Sequence, residues 1–204
     1  MGVLGRLQHC SGTPARCWRP KKGGSRTEWV EALAVEGEGL GRSRGGLTSK
    51  IHLAVDGRGL PMSILVTPGQ AGDNPELLPL LDQVSVRSAW GGRPRRRPRR
   101  VIADKAYSHP STRLALRRRG ISFTCPERSD QIARRRAKGT AGGRPPTFDK
   151  DIYKQRNVVE RCFNRLKQFR GLATRYAKRV AYYRTELVIA TIALWLRHES
   201  QDTP

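Results

Sequence analysis

Apolar and polar positions fall into a readable pattern from Leu47 onward. Leu47–Asp56 (LTSKIHLAVD) alternates and holds enough β-branched residues for a strand over about Lys50–Val55. Asp56-Gly57-Arg58-Gly59 reads as a hairpin turn, with Asp-Gly as its signal, and Leu60–Thr67 returns as a second strand stopped by Pro68-Gly69. Pro75–Val84 predicts a helix, capped by Asp73 or Asn74, with Pro75 at its first position. Gly91–Arg100 (GGRPRRRPRR) is a linker. Beyond it, VIAD forms a short buried-type strand ending at Asp104. Ser108 or Ser111 opens a helix that runs through Leu114 and Leu116 to Arg119 and is closed by Gly120, and ISFTCP is the next strand. Strand, helix, strand in succession predicts a parallel βαβ unit. Glu127–Asp149 is strongly basic and reads as an exposed, partly disordered loop. Two helices close the pattern, over about Lys150–Phe169 and about Tyr182–Arg197; the second is apolar over much of its surface.

Met1–Leu40 does not fit this picture. It shows no sustained period of 2 or 3.6 and is rich in Gly, Pro and Arg; only Glu28–Leu33 suggests a helical turn. The expected organisation is an irregular, disordered segment over 1–40, an α/β domain over 41–198 and a tail over 199–204, with Gly39–Gly46 as the boundary.

Charge narrows the function. The 204 residues hold 40 Lys+Arg against 17 Asp+Glu, a net charge of +23. That excess points to a polyanionic partner, nucleic acid foremost, and its spread along the chain argues against a basic tail on an unrelated domain. No apolar run approaches the ~20 residues of a membrane span. The N-terminus lacks a signal-peptide pattern. Cys10, Cys17, Cys125 and Cys162 have no CxxC spacing, so neither a zinc site nor a disulfide framework is favoured. A reduced, intracellular protein is expected.

Candidate chemistry lies at two places. On one helix at ~100° per residue, Tyr153, Arg156, Glu160 and Lys167 fall within about 60° of one another. Val159, Cys162, Phe163 and Leu166 turn the other way, as a core-facing stripe would. A carboxylate flanked by cations and a phenol suits a metal ion beside a phosphodiester. Asp104, at the C-terminal end of a strand, stands where ligands collect in open α/β sheets; a helix cap or turn is the bland alternative. Together Asp104 and Glu160 can hold divalent metal. Arg156 and Lys167 can grip phosphates, or simply form a solvated basic face. Tyr153 can hydrogen-bond a phosphate or stack on a base. Asp56 reads as a turn residue, and His52 as a side chain directed into the sheet or to solvent.

The spacing Tyr153-x2-Arg156-x3-Glu160-x6-Lys167 resembles the motif around the catalytic glutamate of DDE transposases from bacterial insertion sequences. Asp104-Lys105-Ala106-Tyr107 is similar to the block around their second catalytic aspartate. Gly41–Thr48, Lys50–Asp56 and Asn157–Arg161 resemble insertion-sequence family five in particular. The resemblance covers about Leu40–Arg197. It implies an RNase H-like fold, a mixed sheet flanked by helices. It also implies two divalent metal ions, Mg²⁺ or Mn²⁺, with Asp104 and Glu160 among their ligands, and DNA contacts from Tyr153, Arg156 and Lys167. The implied partner is double-stranded DNA, at element ends and target, with a homo-oligomeric intact enzyme in the bacterial cytoplasm, associated with the nucleoid and not with a membrane. The implied activity is metal-dependent cleavage and strand transfer at terminal inverted repeats.

The family places its first catalytic Asp on the strand before the LTSKIHLAVD hairpin, in a segment shaped like Asp-Ser-Thr. This chain has no Asp before Asp56, and only Glu28, Glu31, Glu36 and Glu38 are acidic there. The first strand is therefore expected to be missing or non-native, through translation in a shifted frame or a late start of the coding region. Little or no strand transfer is expected. The competing readings are a non-catalytic DNA-binding remnant and a basic ribosome-associated or RNA-binding protein; the second explains the charge but not the joint placement of Asp104 and Glu160.

Overall fold

A computed structural model of the chain describes residues 2–10, 39–43, 46–88, 90–177 and 179–201. Six strands are described: β1 (Gly2–Cys10), β2 (Gly41–Ser43), β3 (Gly46–Val55), β4 (Pro61–Pro68), β5 (Arg100–Ala103) and β6 (Ser122–Thr124). Among the described residues the α-helices are α1 (Leu77–Asp82), α2 (Pro110–Arg118), α3 (Ser129–Ala137), α4 (Lys150–Lys154), α5 (Asn157–Lys167), α6 (Arg170–Thr174) and α7 (Val180–Gln201). Backbone hydrogen bonds order the strands β2-β3-β1-β5-β6, with β4 also paired to β3. The architecture is mixed α/β.

The chain divides into two compact units. The first comprises Met1–Gly5, Leu53–Ser63 and Gly72–Cys162. Its core holds Leu53, Leu60, Leu77, Leu80, Val101, Ile102, Ala103, Tyr107 and Leu116, all fully buried. The hairpin turn is closed by Asp56, whose Oδ1 accepts from the Arg58 and Leu60 backbone N–H groups at 2.9 and 2.8 Å. Gly59 follows at φ 84°, a conformation that favours glycine. The strand–helix–strand expectation is met: β5, α2 and β6 follow in order and β5 and β6 are parallel, with Ile102 in register with Thr124. His109 caps α2 in place of the expected serines, accepting from Ser111 N–H.

The second unit comprises Arg6–His52, Ile64–Ala71 and Phe163–Pro204. Its buried residues include Ile51, Phe163, Leu166, Leu172, Tyr183, Leu187 and Leu194. His52 is fully buried and bonded through Nε2 to Thr67 Oγ1 at 2.9 Å. Lys50 Nζ donates to the Ala71 carbonyl.

Several expectations need correction. The segment 1–40 is not irregular throughout: β1 runs parallel to β5, with Gly2, Val3 and Leu4 in register with Val101, Ile102 and Ala103. Of the two alternatives for the first strand, missing or non-native, a strand is present, and its sequence GVLGRLQHC lacks the Asp of the family pattern. The physical reason is tertiary. A gap between two strands exposes unpaired backbone groups, and filling it outweighs weak local propensity. Glu28–Leu33 and the four candidate glutamates lie outside the described residues. Glu127–Asp149 is not a featureless loop, since α3 forms within it. Gln131 Oε1 accepts from the Arg128 backbone N–H at 3.3 Å, and Asp130 pairs with Arg128 and Arg134. Arg and Ala are strong helix formers, so a basic composition did not preclude a helix. The supposed tail at 199–204 begins inside α7, which continues to Gln201.

Candidate metal and phosphate site

The helix expected over Lys150–Phe169 is broken at Gln155-Arg156, between α4 and α5. There the backbone bonds shorten to the i+3 type: Arg156 N–H donates to Tyr153 C=O at 2.9 Å, and Val159 N–H to Arg156 C=O at 3.0 Å. Such a turn has ~3 residues per turn and eclipses side chains three apart. It brings the Arg156 guanidinium over the Tyr153 ring, 5.8 Å from its centroid. One turn further on, Arg156 Nη2 donates to Glu160 Oε1 at 2.6 Å. The Arg156 side chain is 25% exposed and that of Glu160 51%. On the opposite side of α5, Val159, Cys162, Phe163 and Leu166 are all buried, as the apolar stripe predicts.

Asp104 follows the last residue of β5 and caps the 3-10 turn Lys105–Tyr107, its Oδ1 accepting from Lys105 N–H at 2.7 Å. The capping role weighed for it is thus present. Its carbonyl accepts from the Cys125 thiol at 3.2 Å. Cys125 is placed there by register: β6 pairs Thr124 with Ile102, so the next residues run alongside the end of β5. Arg113 supports this end, donating from Nη2 to the Cys125 carbonyl at 2.7 Å while its guanidinium lies 5.4 Å from the Phe123 ring centroid.

The titration shifts tie these groups into one neighbourhood within the first unit. Burial pushes the Cys125 thiol up to about 12; Arg113 opposes the rise and the Asp104 charge adds to it. Tyr153 is also raised, by burial first, against Arg156 and with the help of Asp104 and Cys125. For Arg156, burial acts to lower the value. The hydrogen bond to Glu160 and the charges of Tyr153, Glu160 and Asp104 more than offset it, and the net shift is upward. Tyr153, Arg156 and Glu160 are joined by direct contacts, and the Asp104 charge also acts on Tyr153 and Arg156. Lys167, in the last turn of α5, is exposed and belongs to the second unit. Among the described residues no group of three or more His, Cys, Asp or Glu side chains is arranged to hold a metal ion. Sequence reasoning missed Cys125 and Arg113. It judged cysteines by CxxC spacing alone, whereas the usable signal was the parallel pairing of the strands ending at Asp104 and Cys125.

The family described as transposase DDE domain matches residues 15–196, most of the chain. The chain belongs to that family. The match begins after β1, so the strand between β3 and β5 lies outside the part that resembles the DDE domain. Among its relatives, the chain is 34% identical over 166 residues to a Burkholderia cepacia protein named as a transposase for insertion sequence element IS402, covering 81% of this chain and 64% of that protein. It is 31% identical over 151 residues to a Brucella ovis protein named as a transposase for insertion sequence element IS6501, covering 74% of this chain and 100% of that protein. The chain therefore spans less than two thirds of the first relative. No solved structure matches it. No helix among the described residues of this DDE domain is long and apolar enough to cross a membrane.

Proposed function

We propose that this chain is a DNA-binding, RNase H-like transposase domain of an insertion sequence whose metal centre retains two of the three carboxylates its family pattern calls for. The observation that carries the reading is the strand beside β5. Asp104 and Glu160 share one electrostatic neighbourhood, yet β1, GVLGRLQHC, contains no acidic residue. Arg156 and Lys167 bind backbone phosphates, and Tyr153 supports the guanidinium and offers its hydroxyl to a phosphate oxygen.

Asp104 and Glu160 would each supply carboxylate oxygens to a hard cation, with water and phosphate oxygens completing its shell. They do not fit a pair of ions about 4 Å apart, which needs further shared oxygen ligands. A single Mg²⁺ or Mn²⁺, when bound, supplies positive charge that activates a water or a 3′-hydroxyl beside a phosphodiester. The chain's own residues bind and orient: Asp104 is fixed by its cap on Lys105, and Glu160 is held by Arg156.

Strand transfer is expected at least about a hundredfold below that of a three-carboxylate relative, the usual loss when one stabilising group is removed. A cleavage and joining assay in Mg²⁺ or Mn²⁺, on DNA carrying the element's own ends, tests this. Efficient cleavage that disappears in Asp104→Ala would overturn it. The alternative in the same family is a remnant that binds DNA and cleaves nothing. It is favoured by the many exposed arginines, such as Arg95–Arg97, Arg134 and Arg136, and residual cleavage lost in Glu160→Gln would exclude it.

A further inference from the structure

The Arg156–Glu160 pair is more than a basic residue beside an acidic one. It is a charge-assisted bond of 2.6 Å between an Arg156 side chain that is three-quarters buried and a half-exposed Glu160, so salt screens it less than a fully open surface pair. A carboxylate oxygen engaged in this way faces a cation that repels any second cation approaching the same group. Asp104 also acts on Arg156, so the guanidinium stands in the field of both acids on which the metal reading depends. In this state Arg156 supplies the positive charge that the two carboxylates require.

We propose that Arg156 is a latch on Glu160: the guanidinium withholds the carboxylate from a divalent cation until a DNA phosphate takes the guanidinium instead. The inference rests on the reading of Glu160 as a metal ligand. The local geometry suits an exchange of partners. Guanidinium has five N–H donors in a rigid fork matched to phosphate oxygens as well as to carboxylates. Tyr153 supports it from below through a ring face, which holds a cation without fixing its in-plane direction. The pair is an i,i+4 contact, so release needs new rotamers and no movement of the helix. Arg156 is therefore a positioning residue for Glu160. Because coupling between two binding events is reciprocal, DNA tightens metal binding and metal tightens DNA binding by the same factor. The cation is recruited only where a phosphodiester already lies.

Mn²⁺ binding, read from the electron paramagnetic resonance signal of the free ion, tests this on the full chain, on Arg156→Gln and on Glu160→Gln. Each is measured alone and with saturating short duplex DNA, with circular dichroism to check folding. Without DNA, Arg156→Gln is expected to bind Mn²⁺ about tenfold more tightly than the unaltered chain, within the usual range of coupling. With duplex, the unaltered chain gains a similar factor beyond the Mn²⁺ held by Glu160→Gln with the same duplex, while Arg156→Gln gains little. Equal Mn²⁺ affinity of the unaltered chain and Arg156→Gln, with both dependent on Glu160, overturns the latch alone. If Glu160→Gln binds Mn²⁺ as tightly as the unaltered chain, the metal-ligand reading falls and the latch with it. Should Arg156→Gln fail to fold, the gain of the unaltered chain on adding duplex decides the matter, and no gain overturns the proposal.

Discussion

At the scale of single residues, Asp104, the residue after β5, has two unlike neighbours: a backbone N–H that its carboxylate caps and a thiol that donates to its backbone carbonyl. The thiol has a consequence for pH. Its folded value is raised from 9.0 to about 12, so the folded chain keeps a proton that the unfolded chain gives up. Its contribution is intact below about pH 9 and is lost as pH climbs towards about 12, at up to about 1.4 kcal/mol per unit. Urea titrations across that interval should show stability falling with pH, and a shallower fall in Cys125→Ala; equal slopes would contradict the assignment. Glu160 and Arg156 were legible from spacing alone, because a four-residue interval on a helix is a contact. Cys125 was not. Its neighbour Asp104 lies 21 residues earlier in the chain, and only the pairing of β5 with β6 brings the two together.

At the scale of elements, legibility followed the source of each element's stability. The hairpin at Asp56 was readable because turn geometry is local: Asp56 Oδ1 and the left-handed Gly59 determine it within five residues. The β5–α2–β6 unit was readable because Val101, Ile102 and Leu116 mark buried faces in both periods. Leu116 is fully buried, and Leu116→Ala is expected to destabilise the chain by about 2–5 kcal/mol, measurable by thermal or urea unfolding. A loss under about 0.5 kcal/mol would mean that α2 does not pack as described. β1 was not readable, because nothing in GVLGRLQHC alternates cleanly; its register comes from β5. The break between α4 and α5 was equally silent, since neither Pro nor Gly stands at Gln155-Arg156. Yet that break aligns Tyr153 under the guanidinium.

At the scale of the whole molecule, a charge of +23 governs how the chain would meet the DNA proposed as its partner. Every phosphate neutralised releases counterions, so with about six phosphate contacts the affinity for an arbitrary duplex should fall about a thousandfold between roughly 50 and 200 mM salt. A filter-binding or anisotropy series checks this, and a flat series would remove nucleic acid as the partner. The strand between β3 and β5 bears on descent as well as on chemistry. Sheet pairing asks a segment first for backbone donors and acceptors and tolerates many side chains where flanking strands fix its register. On the reading proposed above, a segment can be accepted into the sheet without bringing the acidic residue that the reaction needs. Architecture would then outlive activity, and a copy that keeps its fold and its basic surface but lacks one carboxylate would compete for the same DNA as its intact relatives.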